Sequence, residues 1–360
     1  MIAPPWRIDV PELAIGTTAT TTPMGAQAYA GAITSRAEQA LRELGFEDWH
    51  VRSVVSRSLR SQLAGDRRLP MGRLTSGSPR ERRLLGRLLW PRQAVVHRMD
   101  LVLPPPSGPD VVTLHDVVSW KFDDESAPVA AASAELRSAD AVICVSRFTA
   151  DEAERLLGLR APIVIPNGVG DEYFAAAPLD AATLSHLGLQ RPFVLYAGGS
   201  AARKNLPALA EAWRLVLDRI PTHDLALAGP RSPERDRIFA TVPRVIHLGR
   251  LPDRLMPGLV ASASTVVVPS LYEGFGLPAL EAMAAGVPLL SSNRSSLPEV
   301  VGDGGTLVEP TGSGLAEGLE HVVAGGGDVA AAAQRGRRRA AEFTWDRSAR
   351  RHAEVWTSLM

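Results

Sequence analysis

Two glutamates, Glu273 and Glu281, stand eight residues apart around a glycine-containing loop and the start of a helix. The run 264–269 before them is apolar and β-branched, which is typical of a buried parallel strand. Pro278 suits the first turn of a helix, and the alanine-rich residues after it favour helix as far as Gly286. The sequence therefore predicts a strand, a loop and a helix that carry both carboxylates.

The start of this helix is predicted to hold an anion. The backbone N–H groups of Phe275, Gly276 and Leu277 would lie at its N-terminus. Such groups lack partners within the helix, and the helix dipole favours a negative charge beside them. A phosphate held there, with Glu273 and Glu281 accepting hydrogen bonds from hydroxyls, fits a nucleotide sugar.

Two cations follow a pair of glycines elsewhere in the chain. Arg203 and Lys204 come after Gly198 and Gly199, which follow a predicted strand at 193–197. Fixed cations beside a glycine turn can neutralise a diphosphate and stabilise the charge that develops as it leaves. The structural alternative is a surface pair that caps the next helix.

Two further strand ends carry candidate residues. His115 and Asp116 directly follow a predicted strand at 111–114. The histidine can hydrogen-bond a donor sugar or align an acceptor, and Asp116 can orient the histidine or act on the acceptor. A purely structural role for both is the alternative. Arg250, after a predicted strand at 245–248, is expected to border the base pocket.

Short apolar runs alternate with helical patterns, which is the signature of a parallel α/β architecture. The predicted strands are 111–114, 141–145, 163–165, 193–197, 225–228, 245–248, 265–268 and 288–291. Open parallel sheets bind ligands at the carboxyl ends of their strands, so the motifs should converge on one edge of each sheet.

A segment with the look of a linker, 171–180, separates two series of predicted strands. We therefore expect an N-terminal Rossmann-like domain at 1–172 on the acceptor side. A C-terminal Rossmann-like domain at 173–342 would bind the donor. The last stretch, 343–360, is amphipathic and predicts a helix with Thr344 as its cap.

Composition describes an ordinary globular protein. The 360 residues have a formal net charge of zero and are 45% hydrophobic, which suits about two domains. No apolar run is long enough to cross a membrane and the start lacks the layout of a signal peptide, so we expect a cytoplasmic protein. The single cysteine, Cys144, is expected to be a buried hydrophobe.

One region is strongly basic. From Arg52 to Arg98 the chain carries twelve arginines against Asp66 and Glu81 only. One interpretation is a solvated face of loops and helices. The other is a patch for an anionic acceptor or a peripheral membrane contact. Nucleic acid is not expected as a partner, because aromatic residues are sparse there and the rest of the chain balances the charge.

No metal is expected at the site. No Asp-x-Asp element follows a strand, and no histidine or cysteine cluster has the spacing of metal ligands. Arg203, Lys204 and helix dipoles would supply the positive charge that a divalent ion provides in other transferases. No cofactor is expected either, the nucleoside diphosphate sugar being a co-substrate.

Several short runs follow one another over roughly residues 110–350. They are Leu-His-Asp at 114–116, Val-Ser-Arg-Phe at 145–148, Ile-Pro-Asn-Gly-Val at 165–169, Gly-Gly-Ser-Ala-Ala-Arg-Lys-Asn at 198–205, Pro-Ser-Leu-Tyr-Glu-Gly-Phe-Gly-Leu-Pro at 269–278 and Ser-Leu-Pro-Glu-Val at 296–300. In this order they resemble the family 4 retaining glycosyltransferases, and most of all the O-antigen mannosyltransferase branch. The resemblance implies a GT-B fold, in which two Rossmann-like domains face each other across a cleft and the last helix crosses back onto the first domain.

The resemblance also implies roles for single residues. Glu273 would accept hydrogen bonds from the transferred hexose and Glu281 from the nucleotide ribose, while Gly25 would let the first helix approach the donor phosphate. Glu299 recurs in the family at the wall of the donor site. Some branches carry an arginine directly after the glycine at Gly199, where this chain has serine, so that contact is absent or replaced.

The implied reaction is transfer of a hexose, with retention, from a nucleoside diphosphate sugar to a hydroxyl of a glycan, lipid-linked or natural-product acceptor. GDP-mannose is favoured over UDP- and dTDP-sugars. One alternative is an epimerase or phosphorylase of the same architecture; a phosphorylase would need Lys121 or Lys204, the only lysines, to hold pyridoxal phosphate. The other is a nucleotide-sugar-binding protein without catalysis.

Overall fold

The computed structural model describes residues 11–20, 25–91 and 94–360. Two sheets organise the chain. The first contains β1 (Glu12–Thr18), β2 (His50–Ser58), β3 (Arg67–Leu69), β4 (Ala94–Arg98), β5 (Asp110–Leu114), β6 (Ala141–Cys144) and β7 (Ile163–Val164). The second contains β8 (Phe193–Ala197), β9 (Asp224–Ala228), β10 (Val245–Gly249), β11 (Thr265–Val268), β12 (Leu289–Ser292) and β13 (Thr306–Val308).

Both sheets are parallel and share one topology. The strand orders are β3-β2-β1-β4-β5-β6-β7 and β10-β9-β8-β11-β12-β13. In each sheet the order reverses once, between β1 and β4 in the first and between β8 and β11 in the second. This is the doubly wound Rossmann arrangement, in which ligands bind beside the reversal. The predicted fold class, two Rossmann-like units with parallel sheets, is confirmed.

Helices connect the strands of both sheets. They are α1 (Gly25–Glu43), α2 (Met71–Ser76), α3 (Pro79–Leu89), α4 (Ala132–Ser138), α5 (Arg147–Leu157), α6 (Asp171–Phe174), α7 (Ala181–His186), α8 (Leu206–Val216), α9 (Pro233–Phe239), α10 (Met256–Ser262), α11 (Leu277–Ala285), α12 (Leu297–Val301), α13 (Gly312–Ala324), α14 (Gly327–Ala340) and α15 (Trp345–Thr357). Short 3₁₀ turns lie at Val118–Trp120, Ala202–Lys204 and Asp253–Leu255.

Every predicted strand is present, with ends within one residue of those expected. The central strands of both sheets are buried on both faces, so their sequences are continuous apolar runs that are easy to recognise. The strands β1 to β4 and β13 were not predicted. β2 and β3 lie at the edge of the first sheet and are partly exposed, so they can carry arginines and serines. These polar residues interrupt the apolar pattern by which the other strands were predicted.

The basic region is therefore not only a solvated face of loops and helices. It contains β2, β3, α2, α3 and β4. Within the described residues of this region most arginines are exposed, but Arg82 and Arg98 are fully buried. These two arginines cannot belong to a surface patch, and the expectation for them was wrong.

Arg82 and Arg98 share one buried carboxylate. Glu135 on α4 accepts from Arg82 Nε at 2.6 Å and from Arg98 Nη1 at 2.9 Å. Arg98 also pairs with Asp110 at 2.8 Å, while Arg82 donates to the carbonyl of Leu101 at 2.8 Å. The network thereby ties α3, β4, β5, α4 and the turn after β4 into one unit.

The last helix packs on the first sheet's side of the molecule. Thr344 caps α15 by accepting from the Arg347 N–H at 3.1 Å. Arg36 on α1 pairs with Asp346 at 2.7 Å. Deeper in the same contact, the Tyr29 hydroxyl lies 2.5 Å from His352 Nε2. Residues of the C-terminal helix and of α1 thus form one hydrogen-bonded contact.

Two remaining expectations concern Cys144 and membrane spans. Cys144 is buried, as predicted, and burial raises the pKa of its thiol to about 12. Across 11–20, 25–91 and 94–360, no helix has both the length and the apolar character needed to cross a bilayer.

Candidate functional site

The loop between β11 and α11, residues 269–276, is called the glutamate loop here. It ends at Gly276, whose φ of +107° is left-handed backbone that glycine adopts readily. Pro278 occupies the first turn of α11, and no side chain caps the helix start. The loop therefore delivers a helix N-terminus at the carboxyl edge of the second sheet, as the sequence predicts.

Glu273 is the best-connected residue of the glutamate loop. It is buried, and its Oε1 accepts from Lys204 Nζ at 2.6 Å and from Ser270 Oγ at 2.7 Å. Arg203 Nη1 lies 3.5 Å from Oε2. Burial alone would raise the pKa of this carboxyl, but Lys204 and Arg203 outweigh burial and lower it. Glu273 is thus held as a carboxylate.

Arg203 and Lys204 lie on the 3₁₀ turn Ala202–Lys204, called the cation turn here. α8 begins just after it, at Leu206, as the structural alternative supposed. Their side chains are not free at the surface, however, since both turn towards Glu273. The structure therefore brings the predicted cations and the predicted carboxylate into one cluster.

The cation turn is also held from the other side. Arg203 Nε pairs with Glu125 at 2.7 Å, and the Ala202 N–H donates to Asp124 at 2.8 Å. Both acids follow the first sheet's β5 in sequence, so the first Rossmann unit holds the cations of the second. Sequence reasoning missed Glu125 and Asp124, because no motif surrounds them.

The glycines before the cation turn have their own support. Gly199 accepts from the Tyr196 hydroxyl at 2.6 Å through its carbonyl. Arg235, fully buried on α9, donates to the carbonyls of Gly198, Gly199 and Gly229. Arg235 was not predicted from the sequence, and it fixes the backbone on which the cations stand.

Glu281 lies one turn inside α11, as predicted. Burial raises the pKa of its carboxyl to about 7; an interaction with the Tyr173 hydroxyl lowers it only in part, and the charge of Glu172 raises it further. Both neighbours belong to α6, in the segment between the two sheets. Glu281 therefore exchanges its proton near neutral pH, a property that the sequence did not indicate.

His115 and Asp116 follow β5 and meet the glutamate loop. A Cβ at Gly274 would lie 2.0 Å from the His115 carbonyl oxygen, so only glycine permits this approach. Burial lowers the pKa of His115 to about 4, which leaves a neutral imidazole at pH 7. Burial raises the pKa of Asp116, whose Oδ1 accepts from the Val118 N–H at 3.1 Å.

The other predicted residues lie around this centre. Gly25 begins α1, and a Cβ there would approach Leu277 Cδ1 to 3.3 Å, so α1 starts beside the first residue of α11. Residues 22–24, which precede Gly25, lie outside the described residues. Phe275 is buried and packs edge-on to Phe343. Arg250 follows β10 directly at the carboxyl edge of the second sheet.

Glu299, expected at the wall of the donor site, contacts the first Rossmann unit. Its carboxylate accepts from the N–H groups of Arg147 at 2.8 Å and Phe148 at 3.1 Å, at the start of α5. Ser146, which caps the same helix, donates to the Gly274 carbonyl at 2.6 Å. Glu299 therefore fastens the second Rossmann unit to the first.

A cavity of about 340 Å³ opens where the first sheet reverses its order. The ends of β1 and β4, the start of α1 and the end of β5 surround it, and His115 and Asp116 are among the residues that line it. As for metals, no three His, Cys, Asp or Glu side chains within the described part of the chain are grouped as ligands. Metal independence stays a prediction.

Two protein families match separate parts of the chain. "Glycosyltransferase Family 4" matches residues 39–173, and "Glycosyl transferases group 1" matches residues 191–324. The O-antigen chain mannosyltransferase B of Escherichia coli is 36% identical over 186 residues, which is 49% of either chain. The D-inositol 3-phosphate glycosyltransferase of Salinispora arenicola is 34% identical over 180 residues, 47% of this chain and 38% of that protein. The matches thus span about half, or less, of these curated relatives.

Solved structures are similar over nearly the whole chain. The sucrose-phosphate synthase of Thermosynechococcus elongatus aligns with a TM-score of 0.74 and 24% identity, over 97% of this chain and 98% of that one. Anabaena HepE in complex with UDP-glucose aligns with a TM-score of 0.72 and 18% identity, over 97% and 100%. At these identities the likeness concerns the fold. With both family models in place on its two Rossmann units, the chain belongs to the family 4 glycosyltransferases of the GT-B fold.

Proposed function

We propose that this protein moves a hexose, with mannose favoured, from a nucleoside diphosphate sugar to an acceptor hydroxyl. The observation that carries the proposal is the cluster of Lys204, Arg203 and Glu273 beside the uncapped start of α11. Cations and helix N–H groups suit a diphosphate, and the fixed carboxylate suits hexose hydroxyls. Metal is not needed in this reaction, because these groups supply the positive charge.

The chemical step keeps the configuration of the sugar. The acceptor oxygen bonds to the anomeric carbon on the face from which the diphosphate departs, as the bond from that carbon to the diphosphate oxygen breaks. A phosphate oxygen of the leaving group takes the acceptor's proton. Lys204, Arg203 and the helix N-terminus stabilise the departing charge, and the rest of the protein's contribution is positioning.

The donor we favour is GDP-mannose. Several relatives are named as mannosyltransferases, and one from Mycobacterium tuberculosis, 29% identical over 220 residues, is named as GDP-mannose-dependent. HepE, by contrast, is described in complex with UDP-glucose. Both bases therefore belong in a donor test.

Glu281→Gln should weaken nucleotide binding and stabilise the free protein. A carboxylate that accepts from ribose contributes charge-assisted hydrogen bonds, so affinity for the preferred nucleoside diphosphate should fall by about tenfold or more. Because the folded-state pKa is raised, the native carboxyl loses stability as pH rises from about 4.5 to about 7. Glutamine removes that cost, about 3 kcal/mol at pH 8 and about 1 kcal/mol at pH 5.

Calorimetric titration with GDP, UDP and their sugars, together with melting temperatures at both pH values, measures both effects. The exposed Glu317→Gln change on the same domain is the matched control. In the wild type, affinity should weaken as pH falls through about 7, and the variant should lose this dependence. Undiminished binding by Glu281→Gln would place the ribose elsewhere.

We further propose that α3 contacts an anionic membrane surface. One face of α3 packs against the protein, since Arg82, Gly86 and Leu89 are buried. Its outer face presents Leu84 and Leu88, with 61% and 81% of their surface exposed, beside Arg80, Arg83 and Arg87, which are also exposed. Apolar side chains flanked by cations are typical of helices that lie in the interface of an anionic bilayer.

The protein should sediment with phosphatidylglycerol vesicles and much less with phosphatidylcholine vesicles. The double change Leu84→Ser with Leu88→Ser should reduce the bound fraction severalfold, because it removes the inserted apolar area. Leu215→Ser, at a leucine on α8 that is 50% exposed, is the control. Equal sedimentation of all variants would exclude α3 as the contact.

A further inference from the structure

We infer that the cavity at the first sheet's reversal binds an uncharged, polyhydroxylated acceptor such as a sugar, and that Asp100 selects it. The inference rests on the proposed transfer reaction and names its acceptor class. Asp100 belongs to none of the motifs described above; it becomes visible only through the cavity that it lines.

The position of the cavity indicates a ligand site. β1 and β4 are neighbours in the sheet, but their following connections run to opposite sides, which opens a crevice at their carboxyl ends. Thr17 and Thr18 at the end of β1 and Asp100 after β4 line this crevice. Its volume, about 340 Å³, is at the lower end of small-molecule sites. The corresponding reversal in the second sheet, between β8 and β11, carries the glutamate loop.

Asp100 is held ready for hydrogen bonds. Its Oδ1 accepts from the Val102 N–H at 2.8 Å, and its Oδ2 accepts from the Thr18 hydroxyl. The turn that carries it is braced by buried Arg82, which donates to the carbonyls of Leu101 and Leu103. A carboxylate has about four acceptor positions, so each oxygen keeps capacity for a ligand hydroxyl. A carboxylate fixed in this way accepts from hydroxyls without first ordering itself.

The charge of the cavity excludes anions. Asp100 and Asp116 both line it, and among its described lining residues there is neither arginine nor lysine. His115 adds no positive charge, because burial keeps its imidazole neutral. A phosphate seated here would meet the Asp100 carboxylate with no cation among the described lining residues, whereas a neutral sugar would meet hydrogen-bond acceptors. The cavity therefore suits a glycoside rather than a sugar or inositol phosphate.

His115 connects the cavity to the glutamate loop. His115 lines the cavity, and the same residue's carbonyl oxygen touches Gly274 of the glutamate loop. His115 Nε2 is buried and, counting only the described part of the chain, has no hydrogen-bond partner. Trp120, whose indole N–H is engaged by Ser133 at 3.2 Å, gives the cavity an apolar wall. An acceptor sugar seated between them points a hydroxyl towards the transferred hexose.

Saturation-transfer NMR of the full chain tests the inference without requiring turnover. Methyl α-mannopyranoside and inositol 3-phosphate serve as probes, each with and without saturating GDP or UDP. The glycoside should bind, and Asp100→Asn should weaken its binding by about tenfold, the loss of one or two charge-assisted hydrogen bonds. Inositol 3-phosphate should bind at least about tenfold more weakly than the glycoside, and Asp100→Asn should narrow that gap. The exposed Asp123→Asn change is the control.

Donor hydrolysis and nucleotide affinity, measured on the same samples, separate the two proposals. Glycoside binding that depends on Asp100, with no donor use, supports the cavity and refutes the transfer reaction. Donor use with equal binding of the phosphate and the glycoside refutes the cavity assignment alone. Loss of nucleotide affinity in Asp100→Asn would also overturn it, because a residue confined to the acceptor cavity leaves the donor site unchanged.

Discussion

Lys204→Ala is expected to lower the turnover number by about a hundredfold or more, as removal of a group that stabilises a developing charge does in other enzymes. Lys204 Nζ is 2.6 Å from Glu273, and Arg203 is shared between Glu273 and Glu125. Lys204 pairs with one carboxylate and Arg203 with two. We therefore expect Lys204 to contribute more than Arg203 to stabilising the negative charge of the departing diphosphate. Glu273→Ala should cause a loss of similar size, because the transferred hexose loses its fixed acceptor.

Initial rates with saturating donor measure this effect, and the melting temperature of each variant shows whether it folds. Arg219→Ala is the control, since Arg219 also forms an ion pair, with Glu320 at 2.8 Å, but on the solvent-exposed surface. Lys204→Met, which keeps the aliphatic stem, separates charge from packing. Near-normal rates in both Lys204→Ala and Glu273→Ala would mean that the catalytic centre lies elsewhere.

Glu135→Ala is expected to cost about 3–5 kcal/mol in the free energy of unfolding, because removing one partner of a buried ion network leaves the other charges uncompensated. Arg82 and Arg98 are both fully buried, and Glu135 pairs with both of them, while Asp110 supplies the second negative charge through Arg98. Few single substitutions lower the free energy of unfolding by this amount. The destabilisation should affect the first Rossmann unit, which contains the network.

Urea unfolding followed by circular dichroism gives the free energy. Glu309→Ala is the matched control, because Glu309 forms a solvent-exposed pair with Arg294 and should contribute about 0–1 kcal/mol. Glu135→Gln, which keeps the shape and part of the hydrogen bonding, should lie between the two. A cost below about 1 kcal/mol for Glu135→Ala would show that the carbonyl acceptors around Arg82 satisfy the arginines without it.

The second Rossmann unit is largely readable from the sequence. Strands such as β8 and β11 are buried on both faces and consist of apolar residues, and glycine and proline mark the ends of α11. The first unit is harder to read, because β2 mixes buried Val54 and Ser56 with exposed polar residues, and β3 consists of two exposed arginines and a half-buried leucine. Their strand conformation depends on pairing with β1, which no local pattern encodes.

The functional site likewise contains residues that could be predicted from the sequence and contacts that could not. Lys204, Arg203, Glu273 and Glu281 stand in recognisable local contexts, so their types and spacing predicted the cluster around α11. Their roles in binding and catalysis stay predictions. Contacts between the two units were not predictable, because they join residues far apart in sequence. Glu125 and Glu299 are examples, each bonded to a partner on the other Rossmann unit.

The raised pKa of Glu281 could not be predicted from the sequence either. Its raised pKa comes first from burial, and then from the balance between Tyr173 and Glu172 on α6. The sequence places Glu281 inside a helix, but it does not show which other residues surround the carboxyl group and change its pKa. The same holds for Asp100, whose position beside Thr18 depends on the pairing of β1 with β4.

The most direct test of the account is detection of the transfer product itself. The purified chain would be incubated with GDP-mannose or UDP-glucose and methyl α-mannopyranoside, without added metal, and followed by proton NMR. Hexose transfer with retention should yield a nucleoside diphosphate and a disaccharide whose new linkage keeps the α configuration of the donor. A β linkage would contradict retention. If GDP-mannose and UDP-glucose both remain unconsumed while the protein still binds nucleotide and glycoside, the proposed reaction is contradicted.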